Sequence, residues 1–343
     1  MSEYLSKNPD WREWTEFVSD KTGNKGHALW LSNARENREL FRKTGKAWAA
    51  QDLQGVHKGK TVVMLGASPA LAKQVDQLRE LRQDEDFIFF CISCNLKFLL
   101  DNGITPHYCI TVDAHESQGD FWKDLDMERT KDVTLITNVF SYPEMLKWWK
   151  GPLKWLVLDS DPNNTAKKIR KWYKPVNGMG IGFPPLMSQY NVGTAISILI
   201  FEAQVIIFVG NELSYADEDV TYYVDRPDEK DEYQRLPAMD LYGNKVLTSR
   251  MLWALKFAME NFLDHVKYLA WLFNCTEAGI FGVSKRNQNE RFIQQLTLKN
   301  GIAQARHIMR TGEPFSIGKS SIIEIPNTDT VLSLDKTLQE IGR

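Results

Sequence analysis

The chain has 343 residues, enough for one large α/β domain with extensions or for two modest domains. Its 43% hydrophobic and 25% charged content is ordinary for a globular protein, and 42 basic against 44 acidic residues leave no positive field to attract nucleic acid. No stretch approaches the roughly 20 apolar residues that span a bilayer, and the start Met1-Ser2-Glu3-Tyr4 lacks the basic and apolar regions of a signal peptide.

Residues 1–58 read as a helical extension, with Trp11, Trp14 and Phe17 at helical spacing and then Leu40, Phe41 and Trp48. It is expected to pack on a main domain over 59–300. At Lys60 the pattern changes. Thr61–Leu65 is a short apolar run without alternation, as expected of a strand buried on both faces. It ends in Gly66-Ala67-Ser68-Pro69, and an amphipathic stretch from Ala70 to Arg82 follows. The same event recurs along the chain. Phe87–Ile92 runs into Ser93-Cys94-Asn95, Tyr108–Val112 ends at Asp113, Val133–Thr137 at Asn138, and Trp155–Leu158 at Asp159. Val205–Val209 ends at Gly210-Asn211-Glu212, and Tyr268–Phe273 at Asn274-Cys275-Thr276-Glu277. Between them, Tyr215 to Val246 is long, polar and acidic, and reads as a lid over a site or as a solvated loop. Residues 301–343 form a last helix and a tail with a strand-like Ser321–Ile325, a candidate for contacts within a homo-oligomer.

Strands alternating with helices predict an α/β doubly wound, mostly parallel sheet. Ligands of such sheets bind outside the carboxyl ends of the strands. Nearly every strand here exits into Ser, Asn, Asp or Glu. Turns favour those residues by themselves, but the repetition at every exit points to a site. The four cysteines, with Cys91 and Cys109 inside apolar runs and Cys275 just after another, fit a reducing cytoplasm rather than a disulfide framework. Cys91 and Cys94 make a Cys-x-x-Cys, but no second pair or histidine cluster completes a zinc site, and no metal ligands are assigned. The clustered Trp148, Trp149, Trp155 and Trp172 read as core or partner packing.

The turn at Gly66 places backbone amides at a helix start, where they favour a phosphate, and Ser68 offers a hydroxyl. It is neither Gly-x-Gly-x-x-Gly nor a Walker loop. Asp113 is placed to act as a base, to bind a ribose hydroxyl or to hold magnesium, with His115 beside it as a proton shuttle. Asn191-Val192-Gly193-Thr194-Ala195 reads as a second helix start facing an anion, or as a plain asparagine cap.

Four motifs together resemble a known family. Gly210-Asn211-Glu212-Leu213-Ser214-Tyr215 resembles the Gly-Gln-Asp-Leu-Ala-Tyr signature of the motility accessory factors, which are flagellin glycosyltransferases. Asn274-Cys275-Thr276-Glu277-Ala278-Gly279 resembles their Asn-Ala-Thr-Glu-Gly-Gly, and Gly66-Ala67-Ser68-Pro69-Ala70-Leu71 their Gly-x-Gly-Pro-Ser-Leu. Gly103-Ile104-Thr105-Pro106-His107-Tyr108, running on to Asp113, is similar to their Gly-Ile-x-Pro-Asp-Tyr element. The motifs keep their order over about residues 59–285. The same domain family includes the archaeal 6-hydroxymethylpterin diphosphokinases. The resemblance implies a Rossmann-like domain that binds a nucleotide-activated nonulosonic acid such as a CMP-sugar. Carried across, it puts Gly66 and Ser68 at the phosphate, and Asp113, Glu212, Asn274, Thr276 and Glu277 around the reacting centre. Ser68 and Ala70 depart from the pattern, and no counterpart of the large flanking domains is expected, which leaves the acceptor open.

The leading expectation is therefore a glycosyltransferase that needs no cofactor. Its catalytic candidates are Asp113, Glu212, Glu277 and His115. Its nucleotide-binding candidates are Gly66, Ser68, Ser93, Asn95, Asn138, Gly193, Thr194, Asn211, Tyr215, Asn274 and Thr276. The alternative is a diphosphokinase that moves pyrophosphate from ATP to a pterin alcohol with Mg²⁺, for which Asp113, Asp159 and Asp161 are candidate ligands. A third reading is a catalytically silent binding module of the same fold.

Overall fold

The structure is a computed structural model and describes residues 28–41, 48–158, 188–215, 222–224, 234–284, 287 and 292–315. A helix over 28–41 (α1) precedes β1 (Trp48–Ala49) and a 3-10 turn (Ala50–Leu53). Then come β2 (Thr61–Leu65), a helical run that starts as 3-10 (Pro69–Gln74) and continues as α2 (Val75–Leu81), β3 (Phe87–Ile92) and α3 (Leu96–Asp101). β4 (Tyr108–Thr111), β5 (Thr134–Asn138), α4 (Pro143–Trp148) and β6 (Leu153–Leu156) complete one half. The other half holds α5 (Gln189–Leu199), β7 (Val205–Val209), β8 (Arg235–Met239), β9 (Lys245–Ser249) and α6 (Arg250–Val266). It ends with β10 (Trp271–Asn274), β11 (Ile293–Gln295) and α7 (Leu298–Thr311).

Nine of these strands form one sheet in the order β1-β6-β5-β4-β3-β2-β7-β10-β11, and every neighbouring pair is parallel. All the residues of β2, β3 and β7 are buried, which is why their runs lack alternation. Alternate side chains still serve different layers. Val63, Leu65, Phe89 and Ile207 join Leu78, Leu99 and Ile308 of α2, α3 and α7 on one face. Met64, Phe90, Ile110 and Phe208 join Val192, Ile196, Met259 and Leu263 of α5 and α6 on the other. From β2 the chain steps outward through β3, β4, β5 and β6, then returns to lay β7 on the opposite side of β2. The strand order thus reverses between β2 and β7, and a crevice opens there.

Three expectations change. The stretch after Tyr215 is not one loop, because β8 and β9 pair within it as an antiparallel hairpin. The extension is not wholly helical, since β1 pairs with β6 at the edge of the main sheet. The boundary at 300 falls inside the first turn of α7, whose Leu298, Ile302, Ala305 and Ile308 belong to the main core. Trp11, Trp14, Phe17, Trp172 and the strand-like Ser321–Ile325 lie outside the described residues. Among those residues, no helix is long and apolar enough to cross a membrane.

Two histidines near the amino-terminal edge of the sheet make the fold acid-sensitive. His107 Nδ1 accepts the Phe89 N–H at 2.9 Å, and burial, with Arg82 nearby, pushes its pKa down to about 4. His57 lies 2.8 Å from the Tyr108 hydroxyl and is also lowered to about 4, by burial and then by Lys60. Unfolded imidazoles take up protons near 6.5, so between pH 6.5 and 4 the unfolded chain binds protons that the folded one refuses. Stability is therefore full above 6.5 and falls as the pH drops towards 4. His107→Asn, whose Oδ1 replaces the Nδ1 acceptor, should flatten that fall in thermal melts taken from pH 7.5 to 4.5. An unchanged slope would remove His107 from the effect.

Candidate functional site

At the point of reversal, β2 and β7 leave the sheet through two glycines in backbone contact. Gly66 N–H donates to Val209 O at 2.8 Å, and Ser68 N–H to Gly210 O at 3.0 Å. A Cβ on Gly66 would fall 2.2 Å from Gly210 O, so the approach requires glycine. Ser68 then caps the helical run, with Pro69 at its first position, and makes no side-chain capping bond. A neighbour supplies the acceptor instead: Ala70 N–H donates to Glu212 Oε1 at 2.5 Å. Glu212 is 8% exposed. Burial raises its pKa, while the Ala70 amide, the Ser68 hydroxyl and Lys73 oppose that shift.

The turns after β7 and β10 interlock. Leu213, Glu277 and Gly279 all have positive φ, and Ile280 N–H donates to Glu212 O at 2.8 Å. Asn274 Nδ2 bonds Phe281 O and Gln295 Oε1, while its Oδ1 accepts from Thr276 N–H. Thr276 Oγ1 in turn accepts from Asn211 N–H at 3.2 Å. Glu277 Oε1 receives Leu298 N–H at 2.8 Å, at the start of α7, and Gln74 Nε2 at 3.1 Å. Asn274 and Glu277 therefore hold the loop and α7 in place. Tyr215 is 2% exposed, exchanges backbone bonds with Leu247 of β9 and lies under the Arg235 guanidinium.

On the other side of β2, Asn95 Nδ2 bonds the carbonyls of Leu65 and Gly66 and so braces the glycine turn. Ser93 donates from both its amide and its hydroxyl to Gln189 Oε1, and Gln189 Nε2 donates on to Gln118. Asp113 and His115 are exposed. Asp113 Oδ1 accepts His115 N–H at 3.0 Å, and His115 Nδ1 accepts Ser117 N–H at 3.3 Å. The N-terminal extension fixes these loops. Asn33 of α1 donates to the carbonyls of Ala114 and Phe140, and Asn37 to those of Val139 and Ser141. Both asparagines are buried, and their i,i+4 spacing was the available signal in the sequence.

Buried polar atoms run along these exits without a hydrogen-bond partner among the described residues. They are Asn95 Oδ1, Thr111 Oγ1, both amide atoms of Asn138 and Asn211 Nδ2. Buried polar groups are normally satisfied, so such a row marks where a ligand or ordered water is expected. A cavity of about 400 Å³ lined by Lys267, Tyr268, Trp271 and Phe292 lies elsewhere, at the start of β10, and touches none of the residues above.

The candidates share one rim but not one centre. Asp113 follows β4 and Glu277 follows β10, four strand positions apart, which is roughly 19 Å at about 4.8 Å per strand. The two carboxylates therefore leave the sheet from well-separated strands of the one rim. Asp113 and Gly66 are two positions apart, roughly 10 Å. The expectation for Gly193 and Thr194 is corrected. The cap of α5 is Ser188, whose hydroxyl accepts from Asn191 N–H. Gly193 packs on Met64 and Phe90 in the core, and Thr194 bonds back to Tyr190 O. Asp159 and Asp161 lie outside the described residues. All four cysteines are buried and none is in a disulfide, Cys91 and Cys94 included.

An all-parallel doubly wound sheet, with glycines touching at its point of reversal and polar exits beside it, defines a Rossmann-like α/β protein. The chain belongs to the 6-hydroxymethylpterin diphosphokinase MptE-like family, whose model matches residues 36–218, just over half of its length. A solved structure of similar fold is the MAf glycosyltransferase from Magnetospirillum magneticum AMB-1, with a TM-score of 0.52 and 12% sequence identity. That likeness covers 75% of this chain and 38% of that one, so the chain spans well under half of its relative's length. No curated protein matches the chain. The MptE-like domain family, to which the resemblance of the four motifs pointed, is confirmed.

Proposed function

We propose that the crevice binds the phosphate of a nucleotide-activated donor, most specifically a CMP-activated nonulosonic acid, and that the protein transfers the sugar to an acceptor. The observation that carries this reading is the row of buried, unpartnered polar atoms beside the glycine contact at the sheet reversal. The name of the structural relative, a glycosyltransferase, is in keeping with it. Asp113 keeps one carboxylate oxygen outside its own loop and takes the acceptor proton. His115 Nδ1 lies 2.9 Å from the Ser117 hydroxyl and 3.3 Å from the Ser117 amide nitrogen, so Ser117 orients the ring. So held, it serves as a proton shuttle beside the departing phosphate.

The family's name favours a second reading, pyrophosphate transfer from ATP to a pterin, which needs Mg²⁺. Among the described residues no three His, Cys, Asp or Glu side chains gather as a metal site. Mg²⁺ held by one or two carboxylates and the phosphates of ATP needs no such cluster, and Asp113 is the described candidate for it. Thermal melts separate the readings, because a bound ligand raises the midpoint. CMP and CMP-sugars at 100 times their Kd should add about 2.7 kcal/mol without metal. A rise only with ATP and Mg²⁺ would favour the diphosphokinase, and no rise with any ligand would favour a silent module.

A further inference from the structure

The helical run after β2 already has an anion at its start. Glu212 reaches across from the β7 exit and accepts the Ala70 amide, in the tight turn that opens the Pro69–Gln74 3-10 segment. The surroundings offer more donors than this carboxylate uses. Ser68 is fully buried, and its hydroxyl lies against the carboxylate without a well-formed bond. Asn211, one residue before Glu212 and 3% exposed, has a side-chain amide nitrogen without a hydrogen-bond partner among the described residues. An ionised carboxylate has two oxygens to offer these groups, whereas a phosphate has three.

We propose that Glu212 is a built-in competitor for the ligand's phosphate, so that an incoming oxyanion seats only when this carboxylate moves aside or takes up a proton. Only the identity of the oxyanion rests on the nucleotide-donor reading. The charged and titratable groups facing Glu212 are Lys73, from the helical run, and Tyr222, whose phenol is pushed well up by burial and then by the Glu212 charge. Tyr222, so raised, stays neutral between pH 5.5 and 8. Burial pushes the Glu212 pKa up, the direction that favours its neutral form as the pH falls.

Calorimetric titration of the full chain with sulfate, whose charge is constant over this range, tests the proposal. Wild type should bind sulfate at least tenfold more tightly at pH 5.5 than at pH 8. Glu212→Gln should bind it at least tenfold more tightly than wild type at pH 8, with little pH dependence left. Glu212→Asp keeps the charge on an arm too short to reach the Ala70 amide and should also bind more tightly at pH 8. It decides the matter should Glu212→Gln fail to fold. Equal or weaker sulfate binding in the folded variants overturns the proposal and leaves Glu212 as a structural cap. Titration with CMP separates this from the nucleotide reading. CMP that binds wild type and variants alike sinks the competitor and keeps the nucleotide. A sulfate response as expected, with CMP no tighter than sulfate, keeps the competitor and sinks the nucleotide.

Discussion

Gly279→Ala should lower the folding stability by about 4 kcal/mol, a large share of the roughly 5–15 kcal/mol that a folded domain commands. Two effects add. Gly279 has a φ of 79°, a conformation that a side chain tolerates poorly. A Cβ there would also fall 2.0 Å from Glu212 O, which is backbone and has no rotamer in which to escape. Relief requires the turns after β7 and β10 to part, which breaks the Ile280 N–H bond to Glu212 O and the Leu241 N–H bond to Gly279 O. The same movement lifts the Glu212 carboxylate from the Ala70 amide. Urea denaturation measures the loss, and a value under about 1 kcal/mol would mean that the turns relax without cost.

Asp113→Asn should reduce turnover by about 10²–10⁴-fold and leave the melting temperature nearly unchanged. The two expectations come from the same geometry. Asparagine keeps an oxygen for the His115 N–H, and the Tyr142 N–H bond to the residue 113 carbonyl involves backbone alone. The loop is also held from α1 through Asn33. What disappears is the negative charge that accepts a proton. Transfer from the donor that best stabilises the protein is the assay. Activity within threefold of wild type would take Asp113 out of the chemistry.

The parts of the fold legible in the sequence are those whose causes are local. Thr61–Leu65, Phe87–Ile92 and Val205–Val209 are almost wholly apolar because both faces are covered, and Gly66 and Gly210 after the first and last of them mark sharp exits. The hairpin was hidden because Pro237 and the acidic runs around it read as loop, and its turn depends on Asp240 accepting from Tyr242 and Asn244. β1 and β11 span two and three residues, too short for any periodicity. β10 starts at Trp271 rather than Tyr268 because Tyr268 and Leu269 are 86% and 60% exposed. The polar exits were readable one by one. Their division into two groups was not, because it depends on strand order, which no local pattern carries. Nor was the work of Glu277, which rests on Leu298 arriving beside it from another crossover.

The parallel sheet also has a kinetic consequence. Thr61 pairs with Val205, and no hairpin within the nine strands offers an early, cheap contact. Closing so long a loop is slow, and chains dominated by distant pairings linger with unpaired edges that invite aggregation. The crevice exists only once β7 has docked beside β2, so a ligand of that crevice can hold the finished fold but cannot hasten its formation.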